Sequence, residues 1–114
     1  MSEVNYKRLL ENTFRELSKK YLDKWQSSTS KTCFSLILEK DAIYICNYMD
    51  GNNVKNISLY TIDDKGNPGN NTIINEKEDP ELYETIMPYY EQIRKQVKSN
   101  KIENISALLH RESI

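Results

Sequence analysis

Histidine, cysteine and glycine are scarce in this chain, and each shortage excludes a class of chemistry. The 114 residues include one histidine, two cysteines and three glycines. With His110 as the single imidazole, no Ser–His or Cys–His catalytic pair can be assembled elsewhere in the chain. The glycines form neither of the glycine-rich phosphate-binding patterns, and two cysteines with one distant histidine cannot build a zinc site. The sequence therefore predicts no cofactor.

Long hydrophobic runs are also missing. No window approaches the roughly 18 apolar residues of a membrane span. The N-terminal residues contain no apolar core of about seven or more residues and no small-residue cleavage site. We therefore expect a cytoplasmic protein that does not enter a membrane.

The apolar content is low but sufficient for a core. Leu, Ile, Val and Phe supply 27 residues, about 24% of the chain, above the roughly 20% below which disorder is expected. The formal net charge is only -1. At this length the sequence predicts one domain, spanning residues 1–114.

Helical periodicity is clear at both ends of the chain. A first amphipathic helix is predicted from Ser2 to about Gln26. A second begins at Asp79-Pro80, is kinked or split by Pro88, and ends at Ser99-Asn100. Residues 102–114 suit either a short helix or a strand. The apolar positions of the two helices are Leu10, Phe14, Leu17, Tyr21 and Trp25, then Leu82, Ile86, Tyr90, Ile93 and Val97.

Between the helices the pattern is that of strands. Residues 32–39, 42–48 and 54–62 are rich in β-branched and aromatic residues, and residues 72–75 suggest a short fourth strand. A long loop is expected at residues 63–71. Short links between consecutive strands indicate an antiparallel meander of three to four strands. The fold class is therefore α+β, with helices covering one sheet face and leaving the other exposed or partly covered.

The two cysteines fall on the first two predicted strands. A two-residue turn at Lys40-Asp41 would place Cys33 and Cys46 diagonally on one face, roughly 7–8 Å apart. This is farther than a disulfide usually spans. We therefore expect two reduced, structural thiols.

Acidic residues cluster in the second half of the chain, where the stretch from Asp63 to Glu91 carries a local charge of -6. Acids near a helix start are favoured by the helix dipole and keep a surface soluble. The functional interpretation is a docking face for a basic protein, steered by charge. The candidate partner-binding residues are Asp63, Asp64, Glu76, Glu78, Asp79, Glu81, Glu84 and, as an aromatic anchor, Tyr83.

Other binding and catalytic chemistry has weaker support. Asp63-Asp64-Lys65 is the only candidate for a metal-dependent nuclease site, and two acids beside a lysine are common in turns. Lys19, Lys20 and Lys24 form a modest basic patch that is more typical of a solvated helix face than of a phosphate track. We expect no nucleic-acid partner and no metal.

The order of elements resembles that of small cytoplasmic immunity proteins of bacterial polymorphic toxins, including the YezG-like type. The shared features are a first helix ending Lys24-Trp25, an aromatic hairpin, an acidic stretch, a long helix to Ser99-Asn100 and an Asn104-Ile105-Ser106 segment. The long C-terminal strand pair of the YezG-like type is missing or truncated here. The resemblance implies a non-enzymatic protein that binds a toxin domain and blocks its active site or assembly.

Three functions are therefore compared. The first is a protein-binding module, most simply a toxin-immunity protein. The second is a secretion-chaperone-like or self-assembling structural protein, a homodimer formed through the sheet or the first helix. The third is a small metal-dependent nuclease.

Overall fold

The computed structural model describes residues 2–112 as two helices and one five-stranded sheet. Every neighbouring strand pair is antiparallel, in the order β1-β2-β3-β4-β5. This confirms the α+β class and the meander. The elements are α1 Glu3–Lys20, a 3-10 turn Leu22–Lys24, β1 Gln26–Ser27, β2 Cys33–Leu38, β3 Asp41–Met49, β4 Lys55–Ile62, β5 Pro68–Asn75 and α2 Pro80–Glu112.

The sheet has one strand more than the three to four predicted. The additional strand, β1, is only two residues long and pairs Gln26 with Ser35 and Ser27 with Phe34. Two residues are too few to show a period, so β1 had no signal in the sequence. Strand β5 is also longer than predicted, because it begins at Pro68 within the expected loop.

The first helix begins as predicted but ends earlier. The Ser2 hydroxyl accepts a hydrogen bond from the Asn5 amide, which caps the N-terminus. The helix ends at Lys20, and the chain folds back so that the Trp25 indole N–H donates to the Leu17 carbonyl at 3.0 Å. That carbonyl belongs to the last helical turn, where backbone acceptors lack partners within the helix. Trp25 therefore closes the helix end instead of extending the helix.

The hairpin register corrects the prediction for the cysteines. The turn between β2 and β3 is Glu39-Lys40, one residue earlier than expected, with Glu39 at a positive φ of 58°. This shift places Cys33 directly opposite Cys46, with their Cα atoms 4.1 Å apart and their sulfurs joined in a disulfide. The prediction of two reduced thiols was wrong. Disulfides are rare in the cytosol, so the cysteines no longer support a cytoplasmic location.

The second helix is a single element of 33 residues, about 50 Å long. Asp79 caps it by accepting from the Leu82 amide at 3.2 Å. The helix continues past Pro88 without splitting, and a kink at this position stays a prediction. The helix also continues past Ser99-Asn100, so the end predicted there was wrong. At that position, the Asn100 side chain accepts from Gln96 within the helix. Residues 102–112 are helical, and residues 113–114 lie outside the described part of the chain.

Both helices pack on the same face of the sheet. Phe14 of α1 and Ile86 and Ile93 of α2 are fully buried against Ile45 and Ile57 of the sheet. Alternate residues of each strand point away from this core. The opposite face of the sheet is therefore left without a helix over it.

Candidate functional site

The face of the sheet that no helix covers is the candidate binding surface, and we call it the open face. The strand register fixes its members, because they alternate along each strand with the residues that face the helices. None of them carries a charge. They are Cys33, Ser35, Ile37, Ala42, Tyr44, Cys46, Tyr48, Asn56, Ser58, Tyr60, Ile62, Asn71, Ile73 and Asn75.

Two tyrosines form the centre of the open face. Tyr44 and Tyr60 are register partners on β3 and β4, and their rings stack with centroids 5.0 Å apart and planes 7° apart. Burial, together with the neighbouring Tyr44, raises the pKa of Tyr60, so the Tyr60 hydroxyl is a neutral hydrogen-bonding group near pH 7. Because each side chain restricts the other, the pair presents a preformed aromatic platform.

Apolar side chains extend this platform to the sides. Ile37 on β2 is 68% exposed and Ile73 on β5 is 52% exposed, while Tyr48 is 37% exposed at one end of β3. The Cys33–Cys46 disulfide lies on the same face and joins β2 to β3. Cys46 and its register partner Ser58 are buried between the larger side chains. The open face is thus aromatic and aliphatic over a rigid, cross-linked backbone.

A polar network fixes the end of the open face beside the β3–β4 turn. Asp50 accepts hydrogen bonds from the backbone amides of Asn52 and Val54 and from the Asn56 side chain. The Asn75 amide donates to the Asn56 side-chain oxygen at 3.0 Å. These bonds, led by that from Asn56, lower the pKa of Asp50, so its carboxylate stays ionised and holds β3, β4 and β5 in register.

The predicted acidic residues do not form one patch. Asp63 and Asp64 lie in the β4–β5 turn, whereas Glu76 and Glu78 follow β5 at its other end. Eight strand residues separate the two groups, a distance of about 23 Å. Asp63 accepts from the Lys65 and Asn67 amides of its own turn, and these bonds lower its pKa.

The remaining candidates have different environments. Asp79 caps α2 and pairs with Lys7 of α1 at 3.0 Å, and the lysine partner is the main cause of its lowered pKa. Glu81 shares a shallow cleft with Lys7 and Arg8, and Glu84 is exposed on α2. The acidic start of α2 is therefore partly offset by basic residues of α1.

Tyr83 is part of the core and does not act as a surface anchor. It is 4% exposed, and its hydroxyl donates to the Asn47 side chain at 3.4 Å. Burial raises its pKa. The predicted aromatic contact at this position was wrong, because the side chain points from α2 into the sheet.

The sequence predicted that one face of the sheet stays exposed or partly covered but did not locate the centre of that face. Tyr44 and Tyr48 lie in a run that was predicted to be well buried, whereas Tyr60 lies in a strand with an alternating pattern. The signal that could have found them was the register of β3 against β4. Once the turns are placed, Tyr44 is directly opposite Tyr60.

Metal-binding geometry is not found within residues 2–112, where no three His, Cys, Asp or Glu side chains are grouped closely enough to hold an ion. Asp63 is instead engaged in its own turn. His110 lies at the exposed end of α2.

A comparison of the chain with protein-family models, with curated proteins and with solved structures finds no match. Over the described residues, neither helix combines the length and the apolar character needed to cross a membrane.

Proposed function

We propose that this protein is a non-enzymatic protein-binding module, a toxin-immunity protein that neutralises a toxin domain by covering part of it with the open face. The observation that carries the proposal is the stacked Tyr44–Tyr60 pair at the centre of an uncharged, helix-free sheet face. Both helix ends that contributed to the resemblance to small immunity proteins differ in the structure, but the order of helix, aromatic hairpin, acidic stretch and second helix is retained. This order supports the same function and a cytoplasmic site of action.

The composition of the open face suits a protein partner. The centres of protein interfaces are depleted in charge and enriched in tyrosine, and tyrosines are frequent hot spots. Exposed Ile37 and Ile73 flank the tyrosine pair and supply the apolar area that such contacts bury. The face lies on a continuous five-stranded sheet, an arrangement that suits a macromolecule better than a small substrate.

Acidic groups at the two ends of the sheet support a basic partner. Asp63 and Asp64 lie beyond one end of β5, and Glu76 and Glu78 lie beyond the other. Charges at the rim of an interface contribute to association rate and orientation more than to affinity. A basic toxin domain would meet acids at both ends while its apolar contact covers the tyrosines.

The test is co-purification with the product of the adjacent gene, followed by affinity measurements on two matched variants. Ile73→Lys places a charge on the open face, and Leu9→Lys places the same charge on α1 at nearly equal exposure, 52% against 53%. We expect Ile73→Lys to weaken binding at least about tenfold, as for a central interface residue. The Leu9→Lys control should bind like the unmodified protein.

Two results would contradict the proposal. One is tight binding retained by Ile73→Lys. The other is a partner-independent dimer that Ile73→Lys dissociates, which would assign the open face to self-assembly. Charge reversal at Glu78, Glu81 and Glu84 is a separate measurement, and we expect it to slow association and reduce its salt dependence.

A further inference from the structure

The C-terminal part of α2 extends beyond the packed body of the protein with apolar side chains in solvent. Every residue from Lys101 to Glu112 is exposed. The molecule measures 59 Å along its longest axis against 31 and 28 Å across, consistent with a projecting helix. Its large apolar residues and their exposed fractions are Ile102 66%, Ile105 56%, Leu108 52% and Leu109 64%.

Three of these side chains, those of Ile102, Ile105 and Leu109, form a stripe that is separate from the core stripe of the same helix. Ile102, Ile105 and Leu109 follow a three-four spacing, which is the seam pattern of paired helices. At about 100° per residue, this seam is rotated by roughly 130° from the face that buries Ile93 and Val97. The core therefore cannot cover the seam, and helices gain most of their stability from such packing.

We propose that the seam pairs with the same segment of a second copy of this chain, in antiparallel orientation. In an antiparallel pair the numbers of two facing residues add up to a constant. A sum of about 207 brings the two seams together. Ile102 then packs against Ile105 of the second copy, and Leu109 packs on the aliphatic stem of Lys98. The overlap covers residues 95–112, about 27 Å of helix.

Charge favours this orientation over a parallel one. In the antiparallel pair, Glu112 of one copy meets Lys95 of the other. A parallel pair would instead place Lys98 beside Lys98 and Lys101 beside Lys101, where the like charges repel.

The base of the projecting helix is also basic on the seam side. There, a crevice of about 420 Å³ between α2 and residues 27–32 is lined by Lys31, Arg94, Lys98 and Lys101 and by no acidic residue. The tip that carries Glu112 would lie against this basic surface.

The area available indicates a weak dimer. Burying one Leu or Ile side chain removes on the order of 100 Å² of apolar surface, so the three partly exposed seam side chains of each copy bring together roughly 400 Å² from the two copies. This is below the total of stable dimers, even with the flanking contacts added. We therefore expect self-association in the micromolar range.

The experiment is sedimentation velocity of the full chain over a series of concentrations from about 5 to about 500 μM, a range that brackets a micromolar equilibrium. Ile105→Lys should shift the association at least tenfold to higher concentration. Ala107→Lys adds the same charge on the opposite face of the same exposed helix and should leave it unchanged. A chain that stays monomeric throughout the series would overturn the proposal, as would equal effects of the two variants.

The orientation has its own test. Lys95→Glu should weaken the dimer, and adding Glu112→Lys should restore it. In addition, a mixture of the Ile102→Cys and Ile105→Cys variants should cross-link between the two variants in preference to within each. Cross-linking of each variant mainly with itself would show a parallel pair and overturn the antiparallel arrangement.

This inference is independent of the proposed function. Ile105→Lys should weaken self-association at least about tenfold while leaving binding of the toxin domain intact, and Ile73→Lys should do the reverse. If Ile73→Lys rather than Ile105→Lys dissociates the dimer, the seam is not the interface.

Discussion

Tyr90 provides the most quantitative test of how α2 is attached to the sheet. Its ring packs against Phe34 with centroids 5.7 Å apart, and its hydroxyl donates to the Thr32 carbonyl at 2.6 Å. The side chain is 2% exposed. Burial raises the pKa of Tyr90 to about 12, with a smaller contribution from Glu91. The substitution Tyr90→Phe removes the hydroxyl, which is both the hydrogen-bond donor and the ionisable group, and keeps the aromatic ring.

Near pH 7 the substitution should cost about 1 kcal/mol of unfolding free energy. A buried neutral hydrogen bond contributes about that much. The Thr32 carbonyl does not lose its only partner, because the Asn47 amide also donates to it at 3.1 Å. The penalty for an unsatisfied acceptor is therefore avoided.

At high pH the sign of the effect should reverse. The folded-state pKa is raised above the unfolded value near 10, so the stability that depends on the neutral phenol is complete below about pH 10 and is lost as the pH rises towards about 12. Two pKa units correspond to at most about 2.7 kcal/mol. Since phenylalanine does not titrate, Tyr90→Phe should become more stable than the unmodified protein above about pH 11.

Urea unfolding at a series of pH values measures this difference directly. Tyr6→Phe is the control, because Tyr6 is 44% exposed on α1 and should change stability by less than about 0.5 kcal/mol. A difference between the unmodified protein and Tyr90→Phe that stays constant from about pH 9 to about pH 12 would refute the reasoning. It would mean that Tyr90 does not titrate differently in the folded state.

Three other elements of the fold give further predictions. Replacing both Cys33 and Cys46 by serine should lower the unfolding free energy by about 2–3 kcal/mol for a bridge between residues 13 apart, and reductant should produce the same loss in the unmodified protein. Asp50 has a lowered pKa, so its contribution is present above about pH 4 and is lost as the pH falls through the folded-state value. Asp50→Asn should therefore lower Tm at neutral pH but reduce the loss of Tm on acidification. Pro88→Ala should raise stability by about 1 kcal/mol or more, because it restores a helical donor inside α2, and thermal unfolding followed by circular dichroism measures the gain.

The helical and strand regions were predictable because their periodicity is strong. The stripe of α1, the Asp79-Pro80 start of α2 and the strand runs all appear in the structure close to their predicted positions. The errors arose where one local signal was opposed by a distant contact. Trp25 fits the helical stripe, yet its indole bonds to Leu17 and reverses the chain. Pro88 is a helix breaker in isolation, yet the buried residues on both sides of it, Ile86 and Tyr90, hold the helix together.

The candidate site depended on register, which composition does not reveal. Moving the β2–β3 turn by one residue converted two diagonal thiols into a directly opposed, bonded pair. The count of charges along the sequence placed Asp63 and Glu76 in one acidic stretch. In the structure the eight-residue strand β5 separates them. Tyr83 was adjacent in sequence to the acids but faces the core. Sequence proximity therefore overestimated the acidic surface and missed the Tyr44–Tyr60 pair.

The most direct measurement of the central claim is an NMR titration of the isoleucine-methyl-labelled protein with the partner proposed above, the toxin domain encoded by the adjacent gene. Isoleucines report on every relevant surface: Ile37, Ile62 and Ile73 on the open face, Ile86 and Ile93 in the core, and Ile102 and Ile105 on the projecting helix. If the open face binds the toxin domain, the largest shift changes will occur at Ile37, Ile62 and Ile73. Changes confined to Ile102 and Ile105, with the open-face methyl groups unaffected, would contradict it.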